Sequence, residues 1–142
     1  MVAVTTVYDL LRRRCGLSQT EAAAFHRVRV DTIKSWCAGR NNAAPGALDE
    51  LRTLYRHIER AAREAVAQIE SGRISIPIEL RVARDDAEAQ SWGWPCIGAQ
   101  TAVLGLLVAQ SRAAVTLTQG GAMIVNPVVI EQMSRAGWSE QM

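Results

Sequence analysis

Apolar and polar positions alternate along this chain with two different periods, and the change between them divides it. Thr6-Val-Tyr-Asp9 has the spacing of a helix start, a hydroxyl followed three residues on by an acid. Val7, Leu10, Leu11 and Arg14 follow at helical spacing, and Gly16 stops the helix. Ser18-Gln-Thr-Glu21 is a second capping box, opening a short helix whose Ala22, Ala23 and Phe25 can face a core. After a break at His26-Arg27, a third short helix is predicted over Val30 to Cys37, with Ile33 and Trp36 one turn apart and Ala38-Gly39 at its end.

Arg40 to Pro45 reads as a polar loop with a first-turn proline, and the longest helix follows, over about 46–70. Leu48, Leu51, Tyr55, Ile58, Ala62, Ala65 and Ile69 repeat at 3-4 spacing, an a/d seam over three heptads. Its first half can pack on the preceding helices. The alanine-rich second half needs another surface.

Beyond Gly72 the period falls to two. Ile74, Ile76, Ile78, Leu80 and Val82 alternate with Ser75, Pro77, Glu79 and Arg81, a half-buried strand that Pro77 places at an edge or near its start. Asp85-Asp-Ala-Glu88 predicts a turn or short helix entry, and Trp92-Gly-Trp94-Pro95 leads into an apolar helix over Ile97 to Gln110. Ala114 to Thr118 reads as a second strand, Gly120-Gly121 as a turn, and Val128 to Arg135 as a last helix. The expected fold is therefore mainly α, with a three-helix N-terminal bundle, a long helix and a small strand-helix-strand α/β unit. The expected division is 1–72 and 73–142. Two strands alone are marginal, so the second half is expected to lean on the long helix or on a second copy of itself.

A length of 142 residues suits one domain or two small ones, and 49% hydrophobic against 21% charged residues is enough to bury a core. The net charge is only +2, which argues against a polycation, but the charge is unevenly placed. Arg12, Arg13, Arg14, Arg27, Arg29, Lys34 and Arg40 face only Glu21 and Asp31 within one short segment, a surplus of +5. Such a block is either a solvated surface or the footprint of an anionic partner, most commonly nucleic acid.

No basic stretch and apolar run marks a secretory signal near Met1, and the apolar run Ile97 to Ala109 is too short for a bilayer span. Cys15, Cys37 and Cys96 are odd in number, widely spaced and outside any zinc-ligand pattern, which fits a cytoplasmic protein without disulfides, metal or cofactor. No membrane partner is expected.

The segment from Gly16 to Arg40 resembles the helix-turn-helix of the lambda repressor/Cro-like (XRE) family of DNA-binding regulators. The family pattern runs GLSQ, E-x-A, V-S-x-x-T-I and a closing G-R. Here Gly16, Leu17, Ser18, Gln19, Glu21, Ala23, Val28, Thr32, Ile33, Gly39 and Arg40 match it without a gap. Ala23 supplies the small residue at the helix crossing, Val28 the apolar turn residue, and Ile33 and Trp36 the buried anchors.

The resemblance implies a recognition helix over about 29–37, with Arg29, Val30, Asp31, Lys34 and Ser35 presented to the major groove. It implies phosphate contacts from Gln19, Arg40, Asn41 and Asn42, and it brings Arg27 into the basic surface. The chain departs from the pattern twice. Arg27 stands where the turn usually has glycine, so a turn of different shape is expected. Arg29 stands where the recognition helix usually has a Ser or Thr cap, so a late start capped by Asp31 is expected.

Past Gly72, architectural order and the pattern around Trp36, Ala44, Pro45 and Ile69-Glu-Ser-Gly72 are similar to the anti-CRISPR-associated repressors, which carry a strand-helix-strand dimerisation unit. Together these imply a homodimeric transcriptional repressor that binds double-stranded DNA. An antitoxin, with Trp92 to Gln110 against a toxin protein, and an interaction adaptor using the long-helix seam are the alternatives.

Individual residues carry two readings each. Arg29 either forks onto guanine or neutralises phosphate, Lys34 touches base or backbone, and Asp31 accepts from cytosine or favours the helix dipole. Trp36 reads as core, and Cys15 and Cys37 as small apolar residues at helix ends. His26 reads as a surface histidine near the turn, with phosphate as the sharper possibility. His57 lies on the long helix. The acids Asp85, Asp86 and Glu88 read as a helix start, since no further ligands stand at coordinating spacing. Cys96 has no histidine base near it in sequence, and no catalytic residue is expected. Trp92, Trp94 and Trp138 suit either an effector pocket or a subunit contact.

Overall fold

A computed structural model describes residues 5–71, 78–111 and 115–119. The protein is mainly α, with α1 (Val7–Arg14), α2 (Gln19–His26), α3 (Val30–Ala38), α4 (Pro45–Glu70), β1 (Ile78–Val82), α5 (Asp86–Ser91), α6 (Ile97–Gln110) and β2 (Val115–Gln119). It forms two compact units, Met1–Arg56 and His57–Met142, so α4 gives its first half to one and its second half to the other.

In the first unit both predicted capping devices are present. The Thr6 hydroxyl accepts from the Asp9 amide, and Ser18 and Glu21 satisfy each other's backbone N–H groups. Thr6 Oγ1 also donates to the Trp36 carbonyl at 3.1 Å, tying the start of α1 to the end of α3. Tyr8, Leu17, Ala22, Ala23, Phe25, Ile33, Trp36, Leu51 and Leu54 form the core, with the Tyr8 and Trp36 rings edge to face at 5.3 Å.

The turn between α2 and α3 keeps the shape that glycine usually gives. Arg27 takes the left-handed conformation, φ 61° and ψ 43°, and its N–H closes the end of α2 on Ala23 and Ala24. The expectation of a differently shaped turn is corrected: packing of α2 on α3 over-determines the backbone and Arg27 accepts the strain. Arg27→Gly will therefore raise the unfolding free energy by roughly 0.5–1 kcal/mol, read as a shifted denaturant midpoint with unchanged slope.

Along α4 the buried stripe is Ala47, Leu51, Leu54, Ile58, Ala61, Ala62, Ala65 and Ile69. Leu48 and Tyr55, which the 3-4 pattern placed on the seam, are only half-buried. Leu51, Ile58, Ala62, Ala65 and Ile69 are buried where the pattern placed them, and only at the two displaced positions does the stripe shift by one residue, to Ala47 and the purely aliphatic Leu54, leaving the Tyr55 phenol at the rim.

In the second unit the two strands are parallel, with Ile78 opposite Val115 and Val82 opposite Gln119, and α5 and α6 form the crossover. The earlier part of the predicted strand, the Gly120-Gly121 turn and the helix over Val128 to Arg135 lie outside the described residues. α6 packs on β1 and on the continuation of α4, around Leu80, Trp94, Ala99, Val103 and Leu107. Gln100 is the buried polar link: its Nε2 donates to the Arg81 carbonyl at 3.0 Å and its Oε1 accepts from the Ala83 amide at 3.3 Å. Asp85 caps α5 through the Glu88 amide, and Asp86 Oδ1 accepts from Ile97 N at the start of α6, so these acids serve helix starts.

Candidate nucleic-acid interface

The apolar anchors of α3 fix which of its side chains point outward. Ile33 and Trp36 are buried, which leaves Arg29, Asp31 and Lys34 exposed and Val30 half-buried. Arg29 is the N-cap of α3 and makes no side-chain cap hydrogen bond, while Asp31 sits one residue inside the helix. The helix thus starts at Val30, and the expected late start capped by Asp31 is corrected. The carboxylate of Asp31 still lies in the first turn, where the helix dipole favours it.

Ser35 is a second correction. It is 9% exposed, and its hydroxyl accepts from Asn41 Nδ2 at 2.6 Å. Ser35 therefore does not stand in the outward row with Lys34, and the Asn41 amide is already committed to holding the loop after α3. Gly39, at φ 79°, makes the left-handed turn there, and the Arg40 N–H returns to the Ser35 carbonyl at 3.0 Å. Arg40 and Asn42 are exposed beyond this hook.

The basic block is also smaller than its sequence suggests. Arg12 is buried: its Nε and NH2 groups donate to Asp9 Oδ1, and NH1 donates to the Leu17 carbonyl at 2.6 Å. Arg13 Nε reaches the other carboxylate oxygen at 3.0 Å. One acid just before the block thus serves two of its arginines. Burial pushes the Asp9 carboxyl up, but the hydrogen bonds and charges of Arg12, with Cys37 and Arg13 beside it, outweigh burial and hold it below the usual carboxylate range.

His26 is not a surface residue. Its side chain is 1% exposed, Nδ1 lies 2.9 Å from Glu50 Oε1, and the rings of Tyr8, Phe25 and Trp36 surround it. It joins the end of α2 to the first half of α4 and cannot reach a phosphate.

Where α1, α2 and α3 meet, a cavity of about 500 Å³ opens, lined by Thr5, Asp9, Arg13, Gln19, Lys34, Cys37 and Ala38. Of the predicted site residues it brings Gln19 and Lys34 together, while Arg29, Val30 and Asp31 stand at the other end of α3. Burial and then the hydrogen bond with Asp9 push the Cys37 thiol above its usual range, so it stays protonated. Sequence reasoning missed Arg13 and Asp9 as part of this site. The signal was present, since Asp9 stands three and four residues before Arg12 and Arg13 on one helix.

Among the described residues no three His, Cys, Asp or Glu side chains converge as a metal site, and no helix is long and apolar enough to cross a membrane. No protein-family model matches the chain, and no curated protein matches it.

Proposed function

We propose that this protein binds double-stranded DNA in a sequence-specific way, as a homodimeric transcriptional repressor. The observation that carries the reading is the packing of α2 on α3 across the left-handed Arg27 turn, which anchors Ile33 and Trp36 inward and leaves Arg29, Asp31 and Lys34 outward. The major groove admits one such helix, and its N-terminal residues then meet base edges. Arg29 is the guanine reader, since its fork matches O6 and N7. Gln19, Arg40 and Asn42 contact phosphates and set the helix in register.

One small domain makes few phosphate contacts. A homodimer, paired through the second unit across a two-fold axis, would read two half-sites about one helical turn apart. Repression follows from occupying a promoter, with no chemistry performed.

The test is selection of a binding site from a random duplex library, followed by fluorescence anisotropy on the selected and a scrambled duplex. Arg29→Ala will reduce the preference for the selected duplex by roughly tenfold, as expected for one lost bidentate pair worth about 1–3 kcal/mol. Failure of the library to yield an enriched site, or equal affinity for both duplexes, would overturn the reading.

A further inference from the structure

We propose that Lys34 is a backbone clamp and not a base reader: with Gln19 and Arg13 it holds one DNA phosphodiester in the cavity between α1, α2 and α3. This rests on the DNA-binding reading above and divides the labour along α3, with bases read at its N-terminal end and a phosphate held at its middle.

Three observations point the same way. Lys34 lines the cavity together with Gln19 and Arg13, whereas Arg29, Val30 and Asp31 do not. Lys34 thus shares a cavity with the start of α2, whose Gln19 the proposed reading sets against the DNA backbone.

Charge is the second observation. Asp9 is already shared by Arg12 and Arg13, and Lys34 forms no ion pair among the described residues, although Asp31 stands three residues before it. The cavity therefore carries a positive surplus that a phosphodiester's single negative charge would match.

The third is the supply of donors. The capping box of α2 uses the N–H groups of Ser18 and Glu21, and those of Gln19 and Thr20 meet no acceptor among the described residues. Gln19 lines Lys34's cavity, so this first turn of α2 brings the positive end of the helix dipole to it, the arrangement that receives a phosphate oxygen. An ammonium is a point charge with three rotatable donors. It suits such an oxygen cluster better than the planar edge of a base, which an arginine fork matches.

The experiment compares wild type, Lys34→Ala, Lys34→Arg and Arg29→Ala on the selected duplex, on duplexes with single base-pair changes, and on the scrambled duplex, each across a salt series. Lys34→Ala will weaken all duplexes by the same factor, leave their ranking unchanged, and reduce the slope of log affinity against log salt by about 0.9, one phosphate's worth. Lys34→Arg will restore the slope. A methylphosphonate scan will find one phosphate whose neutralisation weakens wild type but not Lys34→Ala.

Re-ranking of the base-pair variants by Lys34→Ala with an unchanged slope would overturn the proposal while leaving DNA binding intact, as would a variant still sensitive at every phosphate. Absence of any sequence preference in the wild type would instead remove the underlying reading. Lys34 is exposed, so an unchanged helical circular dichroism signal is expected to accompany every variant.

Discussion

Replacing Arg12 with alanine will lower the unfolding free energy by about 3 kcal/mol, measured by denaturant titration. The guanidinium is 9% exposed and the Asp9 carboxylate 7%, so the substitution leaves a buried charge behind rather than a solvated one. Removing one partner of a buried pair typically costs about 3–5 kcal/mol. The lower end applies because Arg13, itself 68% exposed, still reaches Asp9. The Leu17 carbonyl, just before the Ser18 cap of α2, loses its donor in the same step.

The sign of the pH dependence follows from the depressed Asp9 carboxyl. Its contribution is fully present above the usual carboxylate range and is lost as pH falls through the depressed folded value. The stability gap between wild type and Arg12→Ala will therefore be widest near neutral pH and narrow under strongly acid conditions. A gap that stayed constant with pH would mean that Arg12 acts only through its packing.

Trp36→Ala will be at least as damaging, with a loss of about 3–5 kcal/mol, the range for deleting a buried aromatic. The indole is 8% exposed, lies edge to face with Tyr8, and stands 6.1 Å from the His26 ring. Trp36→Phe keeps a ring in the same place and will cost much less. Near-ultraviolet circular dichroism and thermal unfolding separate the two variants. A small effect of the alanine variant would show that the first unit does not depend on this aromatic cluster.

The helices were legible because their signals are local. Thr6 and Ser18 announce their caps, Gly39 its stop, and the apolar residues of α6 its extent. Trp36 was legible as core because it stands one turn from Ile33. What escaped was decided by tertiary packing. Arg27 looked incompatible with a positive φ, yet the contacts between α2 and α3 enforce it. His26 looked solvent-facing because nothing near it in sequence announces Glu50. Ser35 looked outward by helical phase, until the chain beyond Gly39 folded back to place Asn41 on it. The cavity is the hardest case, since its lining comes from three helices and only Gln19 and Lys34 were named as site residues from sequence, although the spacing of Asp9 and Arg13 on α1 was also a signal.

The parallel pairing of β1 and β2 has a kinetic consequence. Antiparallel neighbours can zip up from a tight turn, but here Ile78 meets Val115 only by closing the long stretch that holds α5 and α6. The sheet is thus a late event in folding, waiting on a closed loop whose entropy must be spent before any ladder bond is gained. The first unit is built from neighbouring helices and has no such delay. During synthesis it can reach its native packing while β2 is still to be made.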